Sequence, residues 1–241
     1  MRDTLVVRSP VNWKTLNPLR PVYLWARDIV MARSGLQPVG AHWFSRTASQ
    51  CYSETAPGLP VPNLAGHFDG VLVQFWEHHG LGRRCLLVSE NGPTKAILAA
   101  KYPAVAFVTV DLFPELTDAR PMNAPDFRWD VCLPAPPEIG RGYDAVVCHA
   151  LLEHVIAPTT AMANMLGLLN EGGLLYAMTH TPSFHLHRYP RDYCRFHHDW
   201  FEDLPGYVAR TTGVAVVLEE LYSRRGVVCV AYRRVPPAPS P

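Results

Sequence analysis

Four short runs rich in aliphatic and β-branched residues, RRCLLV (83–88), AVAFVTV (104–110), YDAVVCHA (143–150) and LLYAMT (174–179), recur with helix-length segments between them. HFDGVLVQFWEHHG, TKAILAAKY and TTAMANMLGLLN carry the 3.6-residue spacing of amphipathic helices. Strands alternating with helices predict βαβ units and a parallel sheet covered on both faces. The last two strand-like runs, GVAVVLEELYS and GVVCVAYRRV, are split by little more than Arg224 and Arg225. So short a link makes them antiparallel. The spacing also predicts that Glu171-Gly172-Gly173 ends the third helix before LLYAMT begins.

The sequence therefore divides into an irregular N-terminal cap or lid (1–65), an α/β domain (66–233) and a Pro-rich, disordered tail (234–241). The cap has one helical stretch, VYLWARDIVMARSG, and its Trp13, Tyr23, Trp25 and Trp43 read either as a lid that excludes water from a pocket or as ordinary core material. A formal net charge of +1 over 241 residues argues against a polybasic nucleic-acid or membrane partner. No long apolar run and no signal-like start are present, so a cytoplasmic protein is expected. The six cysteines are scattered singly, as reduced, separately buried thiols would be.

In an open α/β sheet the ligand sits beyond the carboxyl ends of the strands. Ser89-Glu90-Asn91-Gly92 follows the first strand and holds a single glycine, so it is neither of the common phosphate-cradling loops. Asp111 ends the second strand 19 residues after Gly92, where a carboxylate can accept from both ribose hydroxyls. It is equally a residue that closes turns. Asp130 precedes a turn, where it can either bind an exocyclic purine amine or cap the turn itself.

The succession of this glycine turn, Asp111, WDVCLP, YDAVVCHALLEHVIAP, LLNEGGLLY and HRYPRDYCRF resembles the class I S-adenosylmethionine-dependent methyltransferases. The nearest likeness is to a bacterial group with LEHxxxP and HxxPxDYxRF elements, over about residues 66–233. The resemblance implies a Rossmann-like, seven-stranded, mostly parallel sheet with an antiparallel last strand. It implies S-adenosylmethionine as cofactor, with Gly92 at the methionine part, Asp111 and Leu112 at the ribose, and Asp130 with Val131 at the adenine. His149, ending the fourth strand, would lie beside the sulfonium. His187, Asp192, Tyr193 and Arg195 would form a loop on the acceptor side. The family's turn reads roughly [E/D]xGxGxG, whereas this chain has Val88, Glu90 and Thr94 at the acid, first-glycine and last-glycine positions. Glu90 is expected to lie against the methionine moiety.

The expected activity is methyl transfer to oxygen or nitrogen of a small metabolite such as a sugar, an amino acid or a natural-product intermediate. A hydroxyl acceptor needs a base, and His149 or His187 is the choice, since imidazole titrates near neutral pH. Two alternatives follow from the altered turn: a different use of S-adenosylmethionine that releases methylthioadenosine, or a non-catalytic binding subunit. Seven of the 11 histidines fall between His149 and His198. With neither a CxxC anchor nor a helical HxxxH, the set His180, His185, His187, Cys194, His197 and His198 reads as a loop over the pocket, and no metal is expected. Glu153-His154 reads as a structural tie to that loop.

Overall fold

Eight strands form one sheet in the computed structural model, which describes residues 43–44, 68–112, 124–184, 186–187, 191–224 and 226–237. In chain order they are β1 (Trp43–Phe44), β2 (Arg84–Val88), β3 (Ala106–Asp111), β4 (Phe127–Arg128), β5 (Tyr143–His149), β6 (Leu169–Thr179), β7 (Val216–Arg224) and β8 (Val227–Arg234). Their spatial order is β1-β7-β8-β6-β5-β2-β3-β4. β2 to β6 are mutually parallel, β8 is antiparallel to β6, and β7 is antiparallel to β8. β8 is therefore the one reversed strand of a seven-stranded, Rossmann-like sheet. The two-residue β1 adds an antiparallel edge, pairing Trp43 with Ser223 and Phe44 with Tyr222. The stretch 1–65 thus contributes to the sheet; its predicted helix and the side chains of Trp13, Tyr23, Trp25 and Trp43 lie outside the described residues.

Alternate residues of the central strands feed two separate cores. Leu86 and Val88, Val146 and Cys148, and Leu175 and Ala177 pack with α3 (Pro158–Gly167) and α4 (His198–Thr212). Cys85 and Leu87, Ala145 and Val147, and Leu174 and Tyr176 pack with α1 (Gly70–His79) and α2 (Gly92–Lys101). Burial on both faces explains why these strands read as unbroken apolar runs. Helix starts follow local chemistry. Asp69 caps α1 by accepting from Val71 N, Asn91 caps α2 by accepting from Thr94 N, and Pro158 opens α3 where its missing N–H costs nothing. Among the described residues no helix is long and apolar enough to cross a membrane.

Two expected boundaries move. α3 ends at Gly167, not at Glu171-Gly172-Gly173, because Leu168 and Leu169 are buried and β6 has already begun. The Glu171-Gly172-Gly173 segment lies inside β6 as an irregularity, between the pairs Tyr143–Leu169 and Ala145–Leu174. A Cβ on Gly173 would sit 2.9 Å from Tyr143 O and 3.0 Å from Asn170 O, so the bulge needs glycine for close backbone approach. At the other end, Arg234 belongs to β8 and donates to Leu169 O at 2.5 Å, and Val235 N bonds Ala215 O at 3.0 Å. The sheet therefore extends past residue 233, and 238–241 are outside the described residues.

Gly173→Ala should destabilise the fold by about 1–3 kcal/mol through overpacking against rigid backbone. Gly167→Ala, with nothing within 4 Å of its added methyl, should be neutral or stabilising by up to ~1 kcal/mol. Urea melts of both variants check the contrast. The carboxylate of Asp126 bridges α2 and β3. Burial alone would raise its pKa, but hydrogen bonds from Lys95 and from Thr109 hold it below the ordinary carboxylate value. Its contribution is present above the unfolded pKa of about 3.9 and is lost as pH falls through the lower folded value. Asp126→Asn should accordingly flatten the acid limb of stability against pH, while a limb as steep as wild type would show that the bridge contributes nothing.

Candidate active site

The sheet steps outward from β2 through β3 to β4 in one direction and from β5 to β6 in the other, so its order reverses between β2 and β5. Ligands of such sheets bind beyond the carboxyl ends at that reversal. Both strands leave the sheet there in a strained conformation. Ser89 after β2 has φ +62° and Ala150 after β5 has φ +50°, the two non-glycine residues with positive φ among those described. Such backbone costs of order 1–3 kcal/mol and persists only where surrounding bonds impose it. Here Ser89 N and Glu90 N both donate to Val110 O, at 2.7 and 3.3 Å, and Ala150 N donates to Met178 O at 2.9 Å.

These bonds gather the sequence-predicted residues along one edge. The turn after β2 is clamped to the end of β3 beside Asp111, which is half-buried, and Gly92 opens α2 directly after the Asn91 cap. Trp129 N donates to Asp111 O at 3.2 Å and brings Asp130 to the same end. Asp130 Oδ1 accepts from Cys132 N at 2.9 Å, the turn-capping role, and the carbonyl of buried Val131 accepts from Asn164 at 2.8 Å. Leu112 O accepts from Arg128 at 3.1 Å. Glu90 is only 4% exposed. Burial pushes the Cys148 thiol far up, and Glu153 and Glu90 push it further, so this cysteine stays protonated and both carboxylates are felt at the end of β5.

His149 is fixed by a segment that no motif signalled. Asp69 N donates to His149 Nε2 at 3.2 Å, and the Phe68 ring meets the imidazole edge-on at 5.1 Å. With Nε2 accepting, the neutral ring carries its proton on Nδ1.

The largest departure from the sequence reading concerns Glu153, in the turn after β5. Its backbone does tie the loop, accepting from Tyr193 N and Cys194 N at 2.7 and 3.2 Å. Its carboxylate does more. It is fully buried, accepts from Thr179 Oγ1 at 2.6 Å through Oε2, and faces His180, His154 and His187 through Oε1. His154 Nδ1 donates to Arg191 O. The loop after β6 is held by Asp192, whose side chain accepts from His187 N at 2.7 Å and pairs with both terminal nitrogens of Arg195. Tyr193 is half-exposed. Of the remaining histidines, His198 pairs with Asp199 at the start of α4, His197 precedes that helix, and His185 lies outside the described residues.

No family model matches the chain. An uncharacterized methyltransferase of Mycobacterium tuberculosis is 38% identical over 111 residues, covering 43% of this chain and 54% of that protein. A Mycobacterium bovis protein of the same description matches to the same extent. The chain thus spans about half the length of the curated relatives it matches. Among solved structures, a candidate Zn-dependent alcohol dehydrogenase of Rhodobacter sphaeroides aligns with TM-score 0.50 and 13% identity over 71% of this chain and 91% of that one. An O-methyltransferase family protein of Burkholderia thailandensis aligns with TM-score 0.43 and 17% identity over 69% of this chain and 58% of that one. At 13% identity the likeness to the first of these is one of fold alone.

The Asp192 carboxylate unites His187 and Arg195, so Asp192→Asn should loosen the loop. A loss of about 1.5–3 kcal/mol is expected for hydrogen bonds to a buried charge. Limited proteolysis should then cut between Thr181 and Arg195 first; an unchanged cleavage pattern would mean that the loop is held elsewhere.

Proposed function

We propose that the chain is an S-adenosylmethionine-dependent methyltransferase acting on oxygen or nitrogen of a small metabolite. The observation that carries this reading is the sheet order, with its reversal between β2 and β5 and a carboxylate, Asp111, at the end of the neighbouring strand β3. The curated relatives bear the name methyltransferase. The residues at the edge suit the cofactor. Asp111 would accept from the ribose hydroxyls, with Leu112 beside it. Asp130, whose Oδ1 is used by its own turn, would offer Oδ2 to the adenine amine, with Val131 packed below. Glu90 and Glu153 are both buried near the ends of β2 and β5, and carboxylates at a crevice would favour a cationic ligand.

When bound, S-adenosylmethionine supplies an electrophilic methyl group. The chain's own task is then to align an acceptor and exclude water. Gly92 and Glu90 would meet the methionine portion. His149, oriented by Asp69 N, would border the reacting end, and His187, Asp192, Tyr193 and Arg195 would border the acceptor. An amine acceptor needs only to be uncharged. A hydroxyl acceptor needs a base, and His149 and His187 are the groups available.

Glu90 favours a second reading. A buried carboxylate where the resembled family has glycine would hold the amino-acid portion differently and direct attack to another carbon, releasing methylthioadenosine. The mass of the product separates the two reactions. Failure to bind S-adenosylhomocysteine at all would leave a methyltransferase-like binding subunit.

Calorimetric titration with S-adenosylhomocysteine should show one site, weakened by about 1.5–3 kcal/mol in Asp111→Ala. Unchanged affinity in the folded variant removes Asp111 from the ribose. With a hydroxyl acceptor, replacing the true base among His149 and His187 by Ala should lower kcat by about 10²–10⁴ and leave S-adenosylhomocysteine affinity nearly intact. Full turnover in both variants would mean an amine acceptor or a base elsewhere.

A further inference from the structure

The histidines around Glu153 are arranged in a way that loop-tying alone does not require. Glu153 Oε1 is buried and receives no hydrogen bond, although three imidazole nitrogens surround it. His180 Nε2 lies at 3.1 Å, His154 Nε2 at 3.8 Å and His187 Nε2 at 4.0 Å. Metal bonds of about 2.0–2.2 Å put neighbouring donors of a tetrahedron about 3.4 Å apart, within this range. One donor atom each from Glu153, His180 and His187 lie within 4.8 Å of one another.

The outer partners fix which nitrogen faces inward. His180 Nδ1 meets Gly226 O at 3.0 Å, a pure acceptor, so Nδ1 carries the hydrogen and the neutral ring turns the lone pair of Nε2 towards Glu153. Gly226 is itself held by Thr181 Oγ1 and Ser183 Oγ, and the His180 ring stacks on Phe184 at 3.6 Å. His187 Nδ1 lies 3.5 Å from Asp192 Oδ2, an electrostatic contact, and the hydrogen bond to that carboxylate comes from His187 N. Thr179 holds Oε2 of Glu153 and leaves Oε1 facing the histidines. For His180, an imidazole backed by a carbonyl on Nδ1 with Nε2 facing a carboxylate oxygen is the outer-partner pattern of a metal-binding histidine.

We infer that Glu153, His180 and His187 form a three-ligand site for a borderline transition-metal ion of the Zn²⁺ class, with His154 Nε2 beside it, 3.8 Å from Glu153 Oε1. Two histidines and one carboxylate make a donor set suited to zinc. The bound ion joins the turn after β5 to the loop after β6. A metal-bound His187 has no lone pair left to take a proton. The inference stands apart from the methyltransferase reading, because metal binding is measured without cofactor or acceptor.

The test is titration of chelator-treated, full-length protein with Zn²⁺ alone, followed by Co²⁺ for its absorption bands. One equivalent should bind, and Glu153→Gln and His187→Ala should each weaken binding by more than about 100-fold, with Asp192→Asn costing about 10–100-fold. A second cluster, His78, His79 and Glu220, is the competing place for an ion. His79→Ala should therefore leave the equivalent and the Co²⁺ spectrum in place. Circular dichroism confirms that each variant is folded, and partly exposed His187 gives a second readout should Glu153→Gln fail to fold. No saturable binding by the folded wild type, wild-type affinity in His187→Ala, or loss of the ion with His79→Ala overturns the assignment.

Discussion

Because β2, β5 and β6 are covered on both faces, every side chain along their middles is committed to one core or the other. Leu86, Leu87, Val146, Leu175 and Tyr176 are completely buried, and so are the thiols of Cys85 and Cys148. Burial raises both thiols far out of reach of neutral pH, so neither is a nucleophile. Polar chemistry is excluded from the sheet's body and appears where the strands run out. That is why residues as distant in sequence as Asp69, Glu90, Asp111, Asp130 and His149 come to lie along one edge: each stands at an end of a strand or helix that the two-sided burial has already positioned.

Within that edge, charge is the organising quantity. A buried carboxylate is costly unless hydrogen bonds or cations compensate it. Glu153 is compensated on one oxygen by Thr179 and surrounded on the other by imidazoles. Asp192, also with a buried side chain, is answered by Arg195 and His187 N; burial alone would raise its pKa, and these partners hold it low. The loop after β6 is therefore organised around two buried acids. One, Asp192, is matched within the loop itself. The other, Glu153, reaches across from the turn after β5 to face His180 and His187.

Much of this was legible in the sequence. The alternation of apolar runs and helical segments gave the layers, and the short link after Ser223 gave the antiparallel pair β7 and β8. The end of β3 at Asp111 followed from the polar residue closing VTVD. Glycines were harder to read. Glu171-Gly172-Gly173 looks like a helix stop, because glycine ends helices and also makes bulges; only the 2.9 Å approach of Gly173 to Tyr143 O tells which. The convergence on Glu153 was not legible, since His180, His187 and Glu153 have no chelating spacing in sequence. It is created by the parallel pairing of β5 with β6, which sets the turn after one strand beside the end of the other. The contact of Asp69 N with His149 is likewise a product of packing between α1 and the sheet.

The departure at Glu90 takes on a different sense once the turn's backbone is considered. Glycines in such turns serve two purposes: they permit positive φ, and they leave space for a ligand against the backbone. In this turn the positive φ falls on Ser89, between Val88 and Glu90. Ser89 takes φ +62° and is held there by its bond to Val110 O, while Asn91 caps α2 through Thr94 N, so the turn keeps its path and α2 its start. At the end of β2, Glu90 is a buried carboxyl side chain where the resembled family has glycine. The substitutions have therefore not dismantled the turn. A carboxylate held at that point would favour a ligand carrying positive charge there over a neutral or anionic one.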